Sequence, residues 1–150
     1  MKPITVSVVV DRPREEVFDH LDVLANHPAF TDHFMHDFTF SGPAAGVGAK
    51  ARFRTRPNDW MDLEVLESQA PVRTVERTVG AGGKRVTRGT YTLTEEPGGR
   101  TRVEFELVYE KGPASERMAG PLVHRILLRA NERAMERLRE LMEPAAAPAA

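Results

Sequence analysis

The sequence predicts an α+β fold in which a curved, seven-stranded antiparallel sheet wraps around a long C-terminal helix, with two short helices after the first strand. Three observations predict it. An opening segment repeats apolar residues at every second position, the same period runs through residues 36–110, and after Lys111 the period lengthens to that of a helix. The 150 residues suit a single domain large enough to bury a core. We place that domain at residues 1–143. The tail from Pro144 to Ala150 is expected to be disordered, because alanine and proline give it nothing to pack with.

The first strand is read from Ile4, Val6, Val8 and Val10, which share one face. Asp11-Arg12-Pro13 ends it and opens a helix, since proline suits a first turn whose N–H needs no partner. Val17, Phe18, Leu21 and Leu24 form the apolar stripe of that helix, and Asn26-His27-Pro28 breaks it before a second short helix reaching about His33. Six further strands follow. Their inward residues are expected to be His36, Phe38 and Phe40; Ala51, Phe53 and Thr55; Met61, Leu63 and Val65; Val75, Arg77 and Val79; Thr87, Gly89, Tyr91 and Leu93; and Val103, Phe105, Leu107 and Tyr109. Turn residues separate them at Ser41-Gly42-Pro43, Pro57-Asn58-Asp59, Ala70-Pro71, Gly80-Ala81-Gly82-Gly83 and Pro97-Gly98-Gly99. On the outer face, Lys50, Arg52 and Arg54 would lie opposite Asp62 and Glu64, and Arg88 near Glu104 or Glu106. A lead-in turn before Gly120-Pro121 precedes the long helix, whose stripe runs through Leu122, Ile126, Leu127, Ala130, Ala134 and Leu138.

Composition narrows the function classes. A formal net charge of -1 gives no field that would favour nucleic acid. Without cysteine there is no disulfide, thiolate nucleophile or cysteine-ligated zinc, which suits a reducing compartment. No apolar run reaches the length of a membrane span, and the N-terminus lacks a signal-peptide core, so a cytoplasmic protein is expected. The expected partner is a small hydrophobic ligand, and the expected oligomeric state a monomer or weak homodimer.

The order of strand, two short helices, six strands and long helix resembles the START-related polyketide cyclase/dehydrase and lipid-transport superfamily, with its helix-grip fold. The residues that carry the resemblance are Val8-Val9-Val10-Asp11-Arg12-Pro13-Arg14-Glu15-Glu16-Val17-Phe18, Asn26-His27-Pro28-Ala29-Phe30, Gly46-Val47-Gly48-Ala49-Lys50-Ala51-Arg52-Phe53 and the closing Tyr109-Glu110-Lys111-Gly112-Pro113. Phe30 stands where tryptophan is usual. The resemblance implies a cavity between sheet and helix that holds lipids, polyketides, hormones or quinones.

Candidate ligand-binding residues are Phe38, Phe40, Phe53, Leu63, Val65, Arg77, Tyr91, Phe105, Leu107, Tyr109, Ile126 and Ala130. Arg77, on inward parity, is the candidate anchor for a ligand carboxylate or carbonyl, with Glu67 better matched to Arg73. Were the protein an enzyme, His36 would be the candidate base, with Tyr91 or Arg77 orienting a carbonyl. His20, His27, His33 and His36 cluster in sequence, but they cross helix, turn and strand without a helical His-x-x-x-His pair, so no metal and no cofactor is expected. Three functions stay open: carriage of a small apolar molecule, polyketide aromatase/cyclase or dehydratase chemistry, and a non-catalytic interaction domain whose cavity is filled by side chains.

Overall fold

The computed structural model describes residues 1–144; the predicted disorder of the tail falls, from residue 145 on, outside the described residues. In chain order the elements are β1 (Ile4–Val10), α1 (Arg14–Leu21), a 3-10 turn at Leu24–Asn26, α2 (Pro28–Thr31), β2 (His36–Ser41), β3 (Lys50–Arg56), β4 (Asp59–Gln69), β5 (Arg73–Gly80), β6 (Arg85–Glu96), β7 (Arg100–Lys111), α3 (Ala114–Met118) and α4 (Gly120–Leu141). The seven strands form one antiparallel sheet in the order β1-β7-β6-β5-β4-β3-β2. Successive hairpins build β2 to β7, and β1 crosses over to pair with β7, placing Val6 opposite Phe105 and Val8 opposite Val103.

Proline sets both helix starts. Pro13 occupies the position before α1, and α1 buries Val17, Phe18 and Leu21. Pro121 lies in the first turn of α4, and the chain bends at Ala119 (φ -93, ψ 22) to separate α3 from α4. Arg12 reaches across the fold and donates from Nε to the Met142 carbonyl at 2.9 Å, satisfying a free carbonyl at the end of α4.

Beneath α4 the core divides into two clusters. One joins Val6, Val10, Val17, Phe18, Leu21, Phe30, Tyr91, Leu93, Val103 and Phe105 to Ala134, Met135 and Leu138 of α4. The other joins Leu24, Ala49, Ala51, Phe53, Leu63 and Val65, with Met35, Phe38 and Met61 packed against it. The outer face carries the expected charge ladder: Arg52 donates to both Asp62 carboxylate oxygens at 3.0 Å, and Arg52 and Arg54 lie over the Trp60 ring. Arg88 sits opposite Val108 and pairs with Glu110 at 3.4 Å, rather than with Glu104 or Glu106.

Several inward assignments are overturned. Arg77 is exposed on the outer face, opposite Glu64. The register changes between Val65 and Glu67, so Leu66 bulges, Leu63 pairs with Thr78, and Glu76 and Thr78 of β5 turn inward. A one-residue slip moves every side chain of a strand to the other face. Glu67 and Arg73 do pair, at 3.7 Å, with both side chains well exposed. His36 is exposed because the β2–β3 register shifts between His36 and Thr39, where Asp37 takes a left-handed φ of 55. Phe40 stacks on Phe38 but lies at the sheet edge, 44% exposed.

Ile126 is 57% exposed and Leu122 60% exposed. The buried stripe of α4 runs instead through Asn131, Ala134, Met135 and Leu138, with Leu127 on the same face one turn earlier. The broad apolar arc read from sequence exceeds what one helix face can bury, and its outer edge is left in solvent. Ile126→Asp is therefore expected to change stability by no more than about 0.5 kcal/mol, as for other surface substitutions. Chemical denaturation of the two proteins checks this, and a loss of several kcal/mol would place Ile126 in the core after all.

Candidate functional site: a cavity between the sheet and α4

Where the two core clusters fail to meet, a cavity of ≈110 Å³ remains under α4. Its walls are mostly apolar. Phe30, Phe38, Phe53, Leu63, Phe105 and Leu107 contribute, and Leu127, Ala134 and Met135 close it from α4. The volume is of the order of an apolar cavity of about 150 Å³ that accepts benzene, and below the ~300–1,000 Å³ of pockets for drug-sized ligands. One ring fits the walls as they stand, and anything larger enters only as they part.

Of the residues singled out from sequence, Phe38, Phe53, Leu63, Tyr91, Phe105, Leu107 and Tyr109 line this cavity. Val65 is buried in the neighbouring cluster. Arg77, His36, Phe40 and Ile126 lie outside it, for the reasons given above. Ala130 is also outside the lining, and its carbonyl accepts a hydrogen bond from His33 Nε2 at 2.9 Å.

The polar groups that do face the cavity were mostly not foreseen. Glu76 lies in the wall on β5, with Thr78 beside it. On the inner face it sits between Val65 of β4 and Gly89 of β6. Gly89 makes the room: a Cβ there would lie 3.1 Å from Glu76 Oε1 and 2.9 Å from Phe105. Burial alone pushes the Glu76 carboxyl up to about 8, so at neutral pH it is largely the neutral acid. Tyr91 is diagonal to it across the strands, with its ring 4.6 Å from Phe105 and 5.9 Å from the His27 ring. Burial first, and then Glu76, raise the Tyr91 phenol well above its usual value, so it too stays protonated.

His27 is buried and lines the same cavity. Its Nε2 lies 2.7 Å from the Leu21 carbonyl, which only accepts, so Nε2 carries the proton. Burial lowers this imidazole to about 4, and it is neutral at physiological pH. Asn131 completes the polar set, its amide donating to the Leu127 carbonyl at 2.8 Å.

One end of the cavity is closed by Arg85. Its Nη1 donates to both oxygens of Asp59, at 2.9 and 3.1 Å, and its Nε to Glu116 at 3.0 Å, with Nη2 on the other Glu116 oxygen. Burial works to raise the Asp59 carboxyl, but hydrogen bonds from Arg85 and Thr55 outweigh it and hold the group below its ordinary range. Burial, then Glu116, push the Tyr109 phenol up to about 12. Arg85 thus fastens α3 to the β3–β4 hairpin and is already occupied by two carboxylates. It is a clasp, not an open anion site.

The sequence-clustered histidines disperse. His33 is held by Ala130 and by Arg137, which donates to Nδ1 at 2.8 Å, and Arg137 also pairs with Asp32 at 2.7 Å. Among the described residues no group of three or more His, Cys, Asp or Glu could hold a metal ion, and no helix is long and apolar enough to cross a membrane.

The open antiparallel sheet, the gripped helix and the cavity between them define a helix-grip domain. The chain belongs to the family described as polyketide cyclase / dehydrase and lipid transport, whose model matches residues 1–143. No curated protein matches it in sequence. Many solved structures share the fold, and three illustrate the likeness. Norcoclaurine synthase from Thalictrum flavum is 15% identical, with a TM-score of 0.68 over 91% of this chain and 85% of that one. A protein of Thermus thermophilus, TTHA0849, is 16% identical, with a TM-score of 0.72 over 93% of this chain and 95% of that one. DynU16, a protein in the dynemicin biosynthetic locus, is 21% identical, with a TM-score of 0.66 over 93% of this chain; the chain spans about half (46%) of its length. At these identities the likeness is one of fold.

Proposed function

We propose that this protein binds a small, largely apolar molecule in the cavity between the sheet and α4, as a carrier or sensor. The observation that carries the reading is an internal space with aromatic and aliphatic walls and a few placed polar groups. A core that only had to be stable would close such a gap, because lost packing around an empty cavity costs stability. The family's description, which includes lipid transport, agrees with this use of the fold. Membership alone does not choose a ligand or a reaction.

Native mass spectrometry of the protein, isolated untagged and incubated with a total lipid and metabolite extract, tests the reading. One additional mass of a few hundred daltons or less, in one-to-one ratio and lost on gentle activation, is expected. Bare protein across extracts of differing polarity would favour the filled-cavity interaction domain instead.

A further inference from the structure

We propose that Glu76, as a neutral carboxylic acid, and the Tyr91 phenol form a pair of hydrogen-bond donors that selects ligands presenting a carbonyl oxygen to the cavity. The inference rests on the cavity being a binding site. Its starting point is a carboxyl group placed in an apolar wall with no cation to meet it. The inner-face neighbours of Glu76 are Val65, Gly89, Thr74 and Thr78, with Leu63, Thr87 and Tyr91 on the diagonals. None of these carries a positive charge. The titratable groups lining the same space are His27, whose Nε2 proton is committed to Leu21, Tyr109, and Arg85, which is saturated by Asp59 and Glu116. From α4 come only Leu127, Asn131, Ala134 and Met135.

Glu76 is half-buried as a residue, but its carboxyl faces an apolar wall without a counter-ion, and such a group keeps its proton. It then donates one hydrogen bond, and the phenol of Tyr91, also protonated, donates another. Two donors diagonal on one sheet face, with Gly89 opposite Glu76 leaving room for its carboxyl beside the Phe105 ring, suit one acceptor with two lone pairs. A ketone or aldehyde oxygen on an apolar body has that form. An ammonium group would need Glu76 ionised and would bury two charges, at a desolvation cost that a neutral carbonyl avoids.

Three one-ring probes of similar size test the pair by NMR titration of the wild-type protein: acetophenone, ethylbenzene and 1-phenylethylamine. Acetophenone is expected to bind about tenfold more tightly than ethylbenzene at pH 6, the effect of two modest net hydrogen bonds. At pH 9.5, above the point where burial has placed the carboxyl, the preference should shrink several-fold while ethylbenzene is unaffected. In Glu76→Gln, whose amide still donates, the preference should persist and no longer vary between pH 6 and 9.5. Tyr91→Phe should lose about threefold for the ketone alone. Equal binding of ketone and hydrocarbon at both pH values would overturn the donor pair and leave the cavity reading intact. Tighter binding of the amine at pH 7.5 would also overturn it, making Glu76 a counter-ion. Binding of no probe by any variant would remove the cavity reading and the inference with it.

Discussion

Arg85→Met is expected to destabilise the protein by about 3–5 kcal/mol, among the largest effects of any single substitution in this chain. The guanidinium is 7% exposed and its two carboxylate partners 16% and 13%, so all three groups are largely withdrawn from water. Methionine fills most of the volume of the arginine stem but leaves Asp59 and Glu116 facing one another without the cation that bridges them, Arg56 acting on Asp59 alone and without a hydrogen bond. The uncompensated buried charge, rather than the lost attraction, sets the size of the effect. For a domain of this size that corresponds to a fall in melting temperature of roughly 6–20 °C. Adding Asp59→Asn and Glu116→Gln to Arg85→Met should recover part of the loss. A fall below about 1 kcal/mol in the single variant would mean that water reaches the cluster and that Arg85 does not clasp α3 to the β3–β4 hairpin.

The second large effect is one of pH. The Glu76 carboxyl sits at about 8 in the folded protein, above its ordinary 4.5, so the folded state holds a proton that the unfolded chain has released between those values. Its contribution to stability is fully present below pH 4.5 and is lost as pH rises through 8, at about 1.4 kcal/mol per pH unit. His27 works from the other side. Its value is lowered by burial to about 4 from 6.5, so stability is lost as pH falls through that interval. The two slopes oppose each other between pH 4.5 and 6.5, where His20, also lowered by burial, adds to the side of His27, and wild-type stability should fall above pH 6.5. Glu76→Gln removes one slope. The variant should match wild type near pH 4.5 and exceed it by on the order of 3–5 kcal/mol above pH 8, read from denaturation curves at a series of pH values. Parallel curves for the two proteins would show that Glu76 is ionised and solvated at neutral pH.

The fold was legible in the sequence because its signals are long and redundant. β3, β6 and β7 each alternate over at least seven residues, and Pro13 and Pro121 mark helix starts that no other element competes for. The site was legible only where register was simple. Tyr91, Phe105 and Leu107 lie on strands whose inner stretches keep the alternation of the sequence, and their side chains line the cavity. Glu76 escapes the sequence reading because the bulged residue Leu66 of β4 offsets the β4–β5 pairing by one, setting Glu76 opposite Val65 and Thr78 opposite Leu63, while the apolar Val75 and Val79 on either side of Arg77 suggest the opposite parity for β5. The adjacent apolar pair Val65-Leu66, a break in an otherwise alternating strand, is the signal that marks such a bulge. At His36 the only hint was Asp37, a residue type that enters left-handed backbone more readily than most. His27 was read as part of a helix break. Its ring is drawn inward by the free carbonyl at the end of α1, a partner that sequence spacing does not display. On α4 the apolar arc was too broad to indicate which edge stays dry.

The six methionines make the central claim directly measurable. Met35, Met61 and Met135 line the cavity, whereas Met1 and Met118 are exposed away from it and Met142 is buried beneath the end of α4. With the methyl groups labelled with carbon-13, titration with acetophenone should shift the signals of Met35, Met61 and Met135 together along one saturable curve and leave Met1 and Met118 in place. Shifts confined to Met118, on the outer side of the helices, or no saturable shift at all, would contradict a ligand site between the sheet and α4.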